Sequence, residues 1–325
     1  MTHTRRFVAG ISGALALTLA AVVPAAASGN GIGTPGVGDR FFPLAGNGGY
    51  NVAHYDLDLA WSPASGVLRG TARIDATTTE RLRRFDLDLR GFDVSSVTVN
   101  GTSAHFTRRG QELVIRPTRA LASGARMRIA VAYAGVPHSV TDPDGSIDGW
   151  FRTSDGADVL SEPQGAPSWF PANDHPSDKA TFVVSMTVPS NLSVAGNGLP
   201  DKPLRKGNRT TYTWREVHPM ATYLATVAIG PFDITTSRTA SGIPIINAAD
   251  PSTSKSSLAA MRDVGKIITW ESSMFGPYPF ESVGAISVNE PKVGYSLETQ
   301  TRPTFTFGVD DDILVHELAH QWFGD

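Results

Sequence analysis

The chain has 325 residues, of which 41% are hydrophobic and 18% are charged, and it contains no cysteine. This length gives room for one large or two medium domains with an ample core. The absence of cysteine excludes disulfides, thiolate metal ligands and a cysteine nucleophile. The net charge is −3 and no block of like charge occurs, so nothing indicates nucleic acid as a partner or stable membrane association.

The first 27 residues have the features of an export signal rather than of a folded segment. Arg5 and Arg6 precede an apolar run over 7–23, and a short run of alanines ends at Ala27. The alternative is a membrane anchor, but the apolar run is short for a span and a proline follows it. We therefore expect a signal peptide over 1–27, cleavage after Ala27 and an extracellular protein.

A glycine-rich segment over 28–49 follows, and its composition predicts a flexible leader. From 50 to 238 apolar residues alternate with polar ones, which is typical of half-buried strands. Asn100-Gly101 lies between two such runs and predicts a tight hairpin. The sequence therefore predicts a mainly β N-terminal domain, an antiparallel sandwich or saddle. Its charged alternate residues, Asp86 and Asp88 among them, are expected on solvated strand faces.

The pattern changes near Ser241, and residues 239–325 are predicted to form a second domain. Apolar residues recur at helical spacing between Ser254 and Phe275, which predicts one long helix. Short strands are expected over 283–288 and 301–307, with a polar turn between them. Strands mixed with helices indicate the start of an α+β catalytic domain.

The last sixteen residues, which begin at Asp310, predict a helix with a metal-binding pattern. Three aspartates open it, and any of them can accept hydrogen bonds from the free N–H groups of a helix start. His316 and His320 are four positions apart, so both imidazoles project from one face. Glu317 is placed to act on a metal-bound water rather than to ligate. The alternative is a surface helix with two chance histidines, which the His-Glu-x-x-His pattern disfavours.

Together with two further stretches, this helix resembles the M1, or gluzincin, aminopeptidases. Tyr295-Ser-Leu-Glu298-Thr lies where that family has its Gly-x-Met-Glu-Asn exopeptidase motif. The segment that begins at Gln164 and continues Gly-Ala-Pro-Ser-Trp-Phe-Pro-Ala-Asn-Asp resembles a family segment that reaches the site from the β domain. The resemblance extends over 40–325 and implies that the second domain is thermolysin-like.

The resemblance also implies a role for each matched residue. His316 and His320 would bind one zinc ion, and Glu317 would take a proton from its water and pass it to the leaving amine. Glu298 would pair with the free α-ammonium of a peptide substrate, and Gln164 would assist there and border the pocket for the first side chain. The expected partners are therefore peptides with a free N-terminus.

The family's site includes two residues for which these 325 positions have no counterpart. A glutamate about eighteen residues past His320 would complete the zinc site, and a later tyrosine would stabilise the tetrahedral intermediate. We therefore expect this chain to be a truncated portion of a longer enzyme with little or no peptidase activity of its own. We also expect Leu314, Leu318 and Trp322 to be partly exposed, because the helix would lack its neighbours.

Two other functions remain open at this point. An endopeptidase of the thermolysin type would share the zinc helix, although the β domain in front and Glu298 argue against it. A non-catalytic secreted β-sandwich binding module with a vestigial metal helix would need no substrate at all. Cleavage of a substrate only when its amine is free distinguishes the aminopeptidase from both.

Overall fold

A computed structural model describes residues 30–142, 145–290 and 292–324, so the predicted signal peptide over 1–27 lies outside the described residues. The strands are, in chain order, β1 (Tyr50–Trp61), β2 (Leu68–Thr78), β3 (Phe85–Asp88), β4 (Asp93–Val99), β5 (Thr102–Ser103), β6 (His105–Arg109), β7 (Glu112–Arg116), β8 (Arg126–Gly135), β9 (Ser139–Thr141), β10 (Ile147–Arg152), β11 (Ala157–Leu160), β12 (Ala180–Pro189), β13 (Ser193–Gly196), β14 (Leu199–Pro200), β15 (Leu204–Lys206), β16 (Arg209–Met220), β17 (Val227–Gly230), β18 (Asp233–Arg238), β19 (Pro244–Ala249), β20 (Ile286–Ser287), β21 (Ser296–Leu297) and β22 (Thr304–Phe305).

The helices lie mostly in the last third of the chain. They are α1 (Lys255–Arg262), α2 (Val264–Phe275) and α3 (Asp311–Ala319), with short 3₁₀ turns at Ala166–Ser168 and Thr222–Leu224. Within the described ranges, no helix combines the length and the apolar character that crossing a membrane requires.

The strands form four sheets within the described ranges. The largest has nine strands, in the order β14-β16-β12-β1-β2-β8-β4-β5, with β15 paired to β16. A five-stranded sheet, β13-β17-β11-β10-β9, and a three-stranded sheet, β3-β7-β6, complete the β-rich part. The fourth sheet, β18-β19-β20-β22-β21, accompanies the helices. Most pairs are antiparallel, so the prediction of a mainly β domain followed by the start of an α+β domain is confirmed.

Alternation along the strands builds the main core. Tyr55, Leu57 and Leu59 lie on one face of β1 and are almost fully buried. Each such side chain contributes about 1.5–3 kcal/mol by leaving water. Tyr55 stacks on Phe182 at 4.8 Å between ring centroids, and Phe170 meets Tyr55 edge-on at 5.4 Å. The segment that follows Gln164 is therefore anchored in the core of the β-rich part.

The hairpin predicted at Asn100-Gly101 is present. Both residues have positive φ, 51° and 76°, and they connect β4 to β5 with Val99 opposite Thr102. A two-residue turn of this kind needs positive φ at both positions, which asparagine and glycine tolerate best.

The prediction of solvated charged residues is wrong on β3. Asp86 is 2% exposed and Asp88 is fully buried. Asp88 accepts hydrogen bonds from the side chain of Asn47 at 3.1 Å and from the backbone amide of Asp174 at 2.9 Å. Segments distant in sequence cover the outer face of this strand, so both of its faces are buried. Alternation of apolar and polar residues therefore does not identify a solvent-exposed face here.

Residues 30–49, which the composition suggests are a flexible leader, lie against the β-rich part. The Gly33 amide donates to the Arg84 carbonyl at 2.9 Å. Asn47 is 1% exposed, and its backbone amide donates to the Asn173 side chain. Backbone and side-chain hydrogen bonds thus hold this segment at both of its ends.

The long helix predicted between Ser254 and Phe275 is divided in two. Ser254 caps α1 by accepting from the Ser257 amide at 3.1 Å. Asp263 ends α1 and begins α2, and its amide donates to the Ala260 carbonyl at 2.8 Å. The apolar spacing continues through this junction because Asp263 keeps a right-handed helical conformation, with φ −89° and ψ −1°.

The helices and the fourth sheet form a second core that contains α3. Leu314 and Leu318 are fully buried there, in a cluster that includes Val264 and Phe305. The expectation that both leucines are partly exposed is wrong, because α2 and the fourth sheet already cover this face of α3. Trp322 is half-buried, and its indole N–H donates to the Gly276 carbonyl at 3.2 Å.

A buried arginine joins the two parts of the chain. Arg302 donates to the Ile246 carbonyl on β19 at 3.1 Å and to the Gly198 carbonyl, after β13, at 2.6 Å. Its guanidinium also lies over the Trp214 ring, 4.7 Å from the centroid. A planar group with five donors suits several carbonyls at once. This contact holds the second core against the nine-stranded sheet.

Candidate metal and catalytic site

The helix α3 begins with a defined cap and ends at the second histidine. The Asp310 carboxylate accepts from the Ile313 amide at 3.0 Å, so the first of the three aspartates is the cap. The last helical residue is Ala319, and His320 follows in a right-handed helical conformation with φ −58° and ψ −24°. His320 therefore keeps the direction that a four-residue helical spacing predicts.

The two imidazoles meet at their Nε2 atoms. His316 Nε2 and His320 Nε2 are 3.3 Å apart. A tetrahedral ion with bonds of about 2.0–2.1 Å places its ligand atoms about 3.3 Å apart. His320 Nδ1 lies 2.9 Å from the Phe323 carbonyl and must donate to it, which leaves Nε2 of the neutral ring free to ligate. The spacing and the orientation both fit a zinc ion.

Glu317, on the same helix as this pair, is buried close to another carboxylate, that of Glu298. Its side chain is 5% exposed, and one ligand-type atom each from Glu298, Glu317 and His320 lies within 4.8 Å of the others. Burial, with the charge of Glu298, raises the pKa of Glu317 to about 7, while His320 acts in the opposite direction. A carboxyl group with a pKa near neutrality can both accept and return a proton.

Glu298 is held in place from both parts of the chain. It directly follows β21 and is 8% exposed. The Tyr223 hydroxyl, from the β-rich part, donates to Glu298 Oε1 at 3.2 Å. The Gln321 side chain donates to the Glu298 carbonyl at 3.1 Å and accepts from the Thr301 amide at 2.6 Å. Sequence reasoning missed Tyr223, which lies outside the quoted motifs, and gave no role to Gln321, although it directly follows His320.

Gln164 has its side-chain amide engaged within the β-rich part. Its oxygen accepts from Arg90 at 3.1 Å, and its nitrogen donates to Asp142. The Gln164 backbone amide donates to Asp148 Oδ2 at 3.0 Å. These contacts orient the loop, while the predicted role of Gln164 at the substrate ammonium stays a prediction.

Glu162, two residues before Gln164, is electrostatically coupled to the site. Its pKa is raised by partial burial and by the charge of Glu298, and His320 opposes the shift. Its side chain remains open to solvent. Sequence reasoning missed Glu162, although a carboxylate in this segment matches the charge of an ammonium better than an amide does.

Tyr295 lies three residues before Glu298 and contacts the β-rich part. Its hydroxyl donates to the Ile147 carbonyl on β10 at 3.0 Å, so the side chain spans the gap between the two parts. Its own carbonyl accepts from the Thr306 hydroxyl at 2.6 Å. Tyrosine stands here where the family motif has glycine, and the hydrogen bond to Ile147 fixes the direction of its side chain.

Comparisons with known sequences point to one family. The Peptidase M1 N-terminal domain matches residues 51–224, just over half of the chain. Aminopeptidase M1 from Arabidopsis thaliana is 27% identical over 179 residues, which cover 50% of this chain and 20% of that protein. Probable aminopeptidase 1 from Saccharolobus solfataricus is 27% identical over 297 residues, which cover 85% of this chain and 36% of that protein. The chain thus spans about a third or less of the length of these curated relatives.

Solved structures extend the likeness through both parts of the chain. The crystal structure of the M1 zinc metallopeptidase from Deinococcus radiodurans has a TM-score of 0.82 and 31% identity, and covers 89% of this chain and 68% of that chain. A two-domain M1 zinc metallopeptidase mutant bound to L-tryptophan gives a TM-score of 0.83 at the same identity and coverage. Most of the described fold is therefore shared with zinc metallopeptidases.

Proposed function

Because the chain belongs to the M1 peptidase family, we propose that it forms the zinc-binding and amine-binding part of an aminopeptidase site. The observation that carries this proposal is the meeting of two histidines and two carboxylates. The His316 and His320 Nε2 atoms are 3.3 Å apart, and Glu298 and Glu317 lie within 4.8 Å of a His320 nitrogen. The curated relatives that bear the name aminopeptidase support the same reading.

The chemistry of the site divides among a metal and its neighbours. His316 and His320 would hold a single zinc ion, which would supply a Lewis acid to polarise a carbonyl and lower the pKa of water. Glu317 accepts the proton of the attacking water and passes it to the leaving amine. General-base help of this kind contributes roughly 10²–10⁴-fold to the rate.

Exopeptidase specificity comes from charge pairing at the substrate amine. An N-terminal ammonium is cationic and an internal amide is neutral, so a fixed carboxylate near the metal selects the chain end. Glu298 supplies that carboxylate and Glu162 adds a second negative charge beside it. Tyr295, bonded to Ile147, limits the space for the first side chain.

The proposal is tested by comparing an aminoacyl anilide with the same compound acetylated at its amine. The protein is the whole gene product that contains these 325 residues. We expect cleavage of the free-amine compound alone, loss of activity on chelation and recovery with Zn²⁺. Equal cleavage of the acetylated compound indicates an endopeptidase instead. Absence of cleavage with zinc present favours the binding-module alternative.

Glu298→Ala tests the amine-binding residue. Loss of a charge-assisted hydrogen bond costs about 1.5–3 kcal/mol, so kcat/KM for the free-amine anilide should fall roughly 10–100-fold. Glu290→Ala, which removes a carboxylate eight residues earlier, is the matched control and should leave kcat/KM nearly unchanged. Unaltered kcat/KM in the Glu298 variant would show that this residue has another role.

We further propose that the protein is exported. The support is the pattern of Arg5, Arg6, the apolar run over 7–23 and Ala27. Expression in a bacterium with a general secretion route, followed by mass measurement of the external protein, tests this proposal. A mature chain that begins at Ser28 is expected, and an uncleaved chain retained inside the cell contradicts it.

A further inference from the structure

A second group of ligand-type side chains lies where β16 meets the loop between α2 and β20. Glu216 and His218 are two positions apart on β16 and so share one face of the strand. Glu281 approaches them from that loop. One ligand-type atom of each residue lies within 4.8 Å of the other two. This group is separate from the His316–His320 pair and takes no part in the proposed peptidase chemistry.

The His218 imidazole is hydrogen-bonded to Glu281, and the distances within this group bracket those found around a small divalent ion. His218 Nδ1 is 2.8 Å from Glu281 Oε2 and 3.5 Å from Glu216 Oε1. Ligand atoms around an ion with bonds of about 2.0–2.1 Å lie roughly 3.0–3.4 Å apart. The two observed distances lie on either side of that range. One imidazole with two carboxylates is a donor set that zinc accepts readily.

Two buried oxygens in the group have unused acceptor capacity. Glu216 is 2% exposed, and its Oε1 accepts from the His218 backbone amide at 2.9 Å. Glu216 Oε2 and Glu281 Oε1 have no hydrogen-bond partner among the residues that the structure describes. The Gln300 amide approaches Glu216 without reaching hydrogen-bond geometry. Buried carboxylate oxygens are costly unless a hydrogen bond or a cation compensates them.

The neighbouring cationic groups compensate these buried carboxylate oxygens only in part. The charge of Arg302 acts on both glutamates. Its N–H groups, however, donate to backbone carbonyls such as those of Gly198 and Ile246. None of these N–H groups donates to Glu216 Oε2 or Glu281 Oε1, so both oxygens remain without a hydrogen-bond donor among the described residues. A divalent ion balances both carboxylates and leaves His218 neutral as a ligand.

We propose that Glu216, His218 and Glu281 form a second divalent-cation site, of zinc-binding character, that joins the β-rich part to the helical part. Glu216 and His218 belong to the nine-stranded sheet, whereas Glu281 belongs to the segment that leads into the fourth sheet. The His218 ring also packs edge-on against Phe280, with centroids 5.6 Å apart, which fixes its orientation. An ion bound only in the folded state stabilises the junction of the two parts.

Zinc titration in a protein without the first metal site tests this proposal. The parent for the test is the whole gene product that contains these 325 residues, with His316→Ala and His320→Ala. Calorimetry with ZnCl₂ should show one ion per chain, and added Zn²⁺ should raise the melting temperature. A further His218→Asn substitution should weaken zinc binding at least about 100-fold and remove the rise. His105→Asn, on the exposed strand β6, is the matched control and should change neither quantity.

Glu281→Gln provides a second, independent variant. Its side chain keeps its size but is a much poorer ligand, so it should also weaken zinc binding at least about tenfold. Circular dichroism verifies that each variant is folded, and the half-exposed side chain of His218 favours that outcome. The proposal is overturned if the parent variant binds no zinc. It is equally overturned if binding survives unchanged in both the His218 and the Glu281 variants.

Discussion

Glu317 is the residue on which the proposed chemistry depends most directly. Its carboxyl group is buried beside Glu298 and His320, and burial raises its pKa to about 7. Solvent cannot take over its role easily, because 5% of the side chain is exposed. The neighbouring histidines meet through their Nε2 atoms, so metal binding and proton transfer use different atoms of adjacent residues. Substitution of Glu317 should therefore lower the reaction rate without reducing metal binding.

Glu317→Gln should lower kcat for the free-amine anilide by roughly 10²–10⁴-fold, because the amide cannot accept the proton of water. Zinc content and KM should remain close to those of the parent. Steady-state kinetics with metal analysis of the whole gene product measures these quantities. Asp312→Asn makes the same chemical change on an exposed position of α3 and serves as the control. A parallel loss of zinc in the Glu317 variant would show that the residue is a ligand.

The helix α3 illustrates how a short element depends on its ends and its neighbours. It has nine residues, which is too few for a stable isolated helix. The Asp310 cap satisfies one free amide at its start, and Leu314 and Leu318 anchor it in the second core. Capping and packing together hold the histidines at their separation.

Asp310→Ala should destabilise the fold by about 1 kcal/mol, because the Ile313 amide loses its acceptor. For a chain of this size, this corresponds to a fall of roughly 2 °C in the melting temperature. Scanning calorimetry measures the shift. Asp312→Ala removes an aspartate from the same turn, where only its interaction with the helix dipole is lost, and it should have a smaller effect. Equal shifts in the two variants contradict the assignment of Asp310 as the cap.

On the scale of the whole molecule, several polar contacts cross the junction between the two cores, and one side chain, Arg302, makes a number of them. Arg302 is fully buried, and its donors meet carbonyls of β19 and of the segment after β13. Burial lowers the pKa of Arg302 to about 10, and nearby groups that include Glu216 and Glu281 oppose the shift. The guanidinium therefore stays charged at neutral pH and remains a donor at every N–H.

Arg302→Lys should destabilise the protein by several kcal/mol, since an ammonium cannot reach carbonyls of two separate segments and leaves some of them unpaired. Urea unfolding followed by fluorescence measures the change. Arg205→Lys, at an exposed position of the short strand β15, should leave the free energy of unfolding within about 0.5 kcal/mol of the parent. Similar results for both variants mean that Arg302 does not hold the junction.

Several carboxyl groups of the β-rich part are buried deeply enough to affect stability at neutral pH. Burial raises the pKa of Asp148, Asp158 and Asp174 to about 7 each. A carboxyl whose pKa is higher in the folded than in the unfolded chain favours folding while it is protonated. That contribution is complete below about pH 4 and is lost as the pH rises through 7.

Asp158→Asn should reduce the dependence of stability on pH. Between pH 5 and pH 8 the parent should lose roughly 2 kcal/mol through this group alone, since the ionised carboxylate has no hydrogen-bond partner among the described residues. The asparagine variant should lack that part of the loss. Urea unfolding at both pH values measures the difference. Asp155→Asn, in the exposed turn before β11, is the control, and the same slope in all three proteins contradicts the prediction.

Features that depend on local spacing could be read from the chain alone. Alternation predicted the strands, Asn100-Gly101 predicted a hairpin, and the four-residue interval brought the His316 and His320 nitrogens together. These features need only the backbone geometry of one element, because strand and helix periods fix where successive side chains point. The order of a mainly β domain followed by an α+β segment could be predicted from the sequence for the same reason.

Features that depend on what covers an element required the tertiary structure. Asp88 is buried because Asn47 and the segment around Asp174 reach it from distant positions, and Leu318 is buried because α2 and the fourth sheet lie over it. Glu162 entered the site for a similar reason, since a folded loop brings its charge beside Glu298. Period and composition report the direction of a side chain, whereas its neighbours are set by packing between segments far apart in sequence.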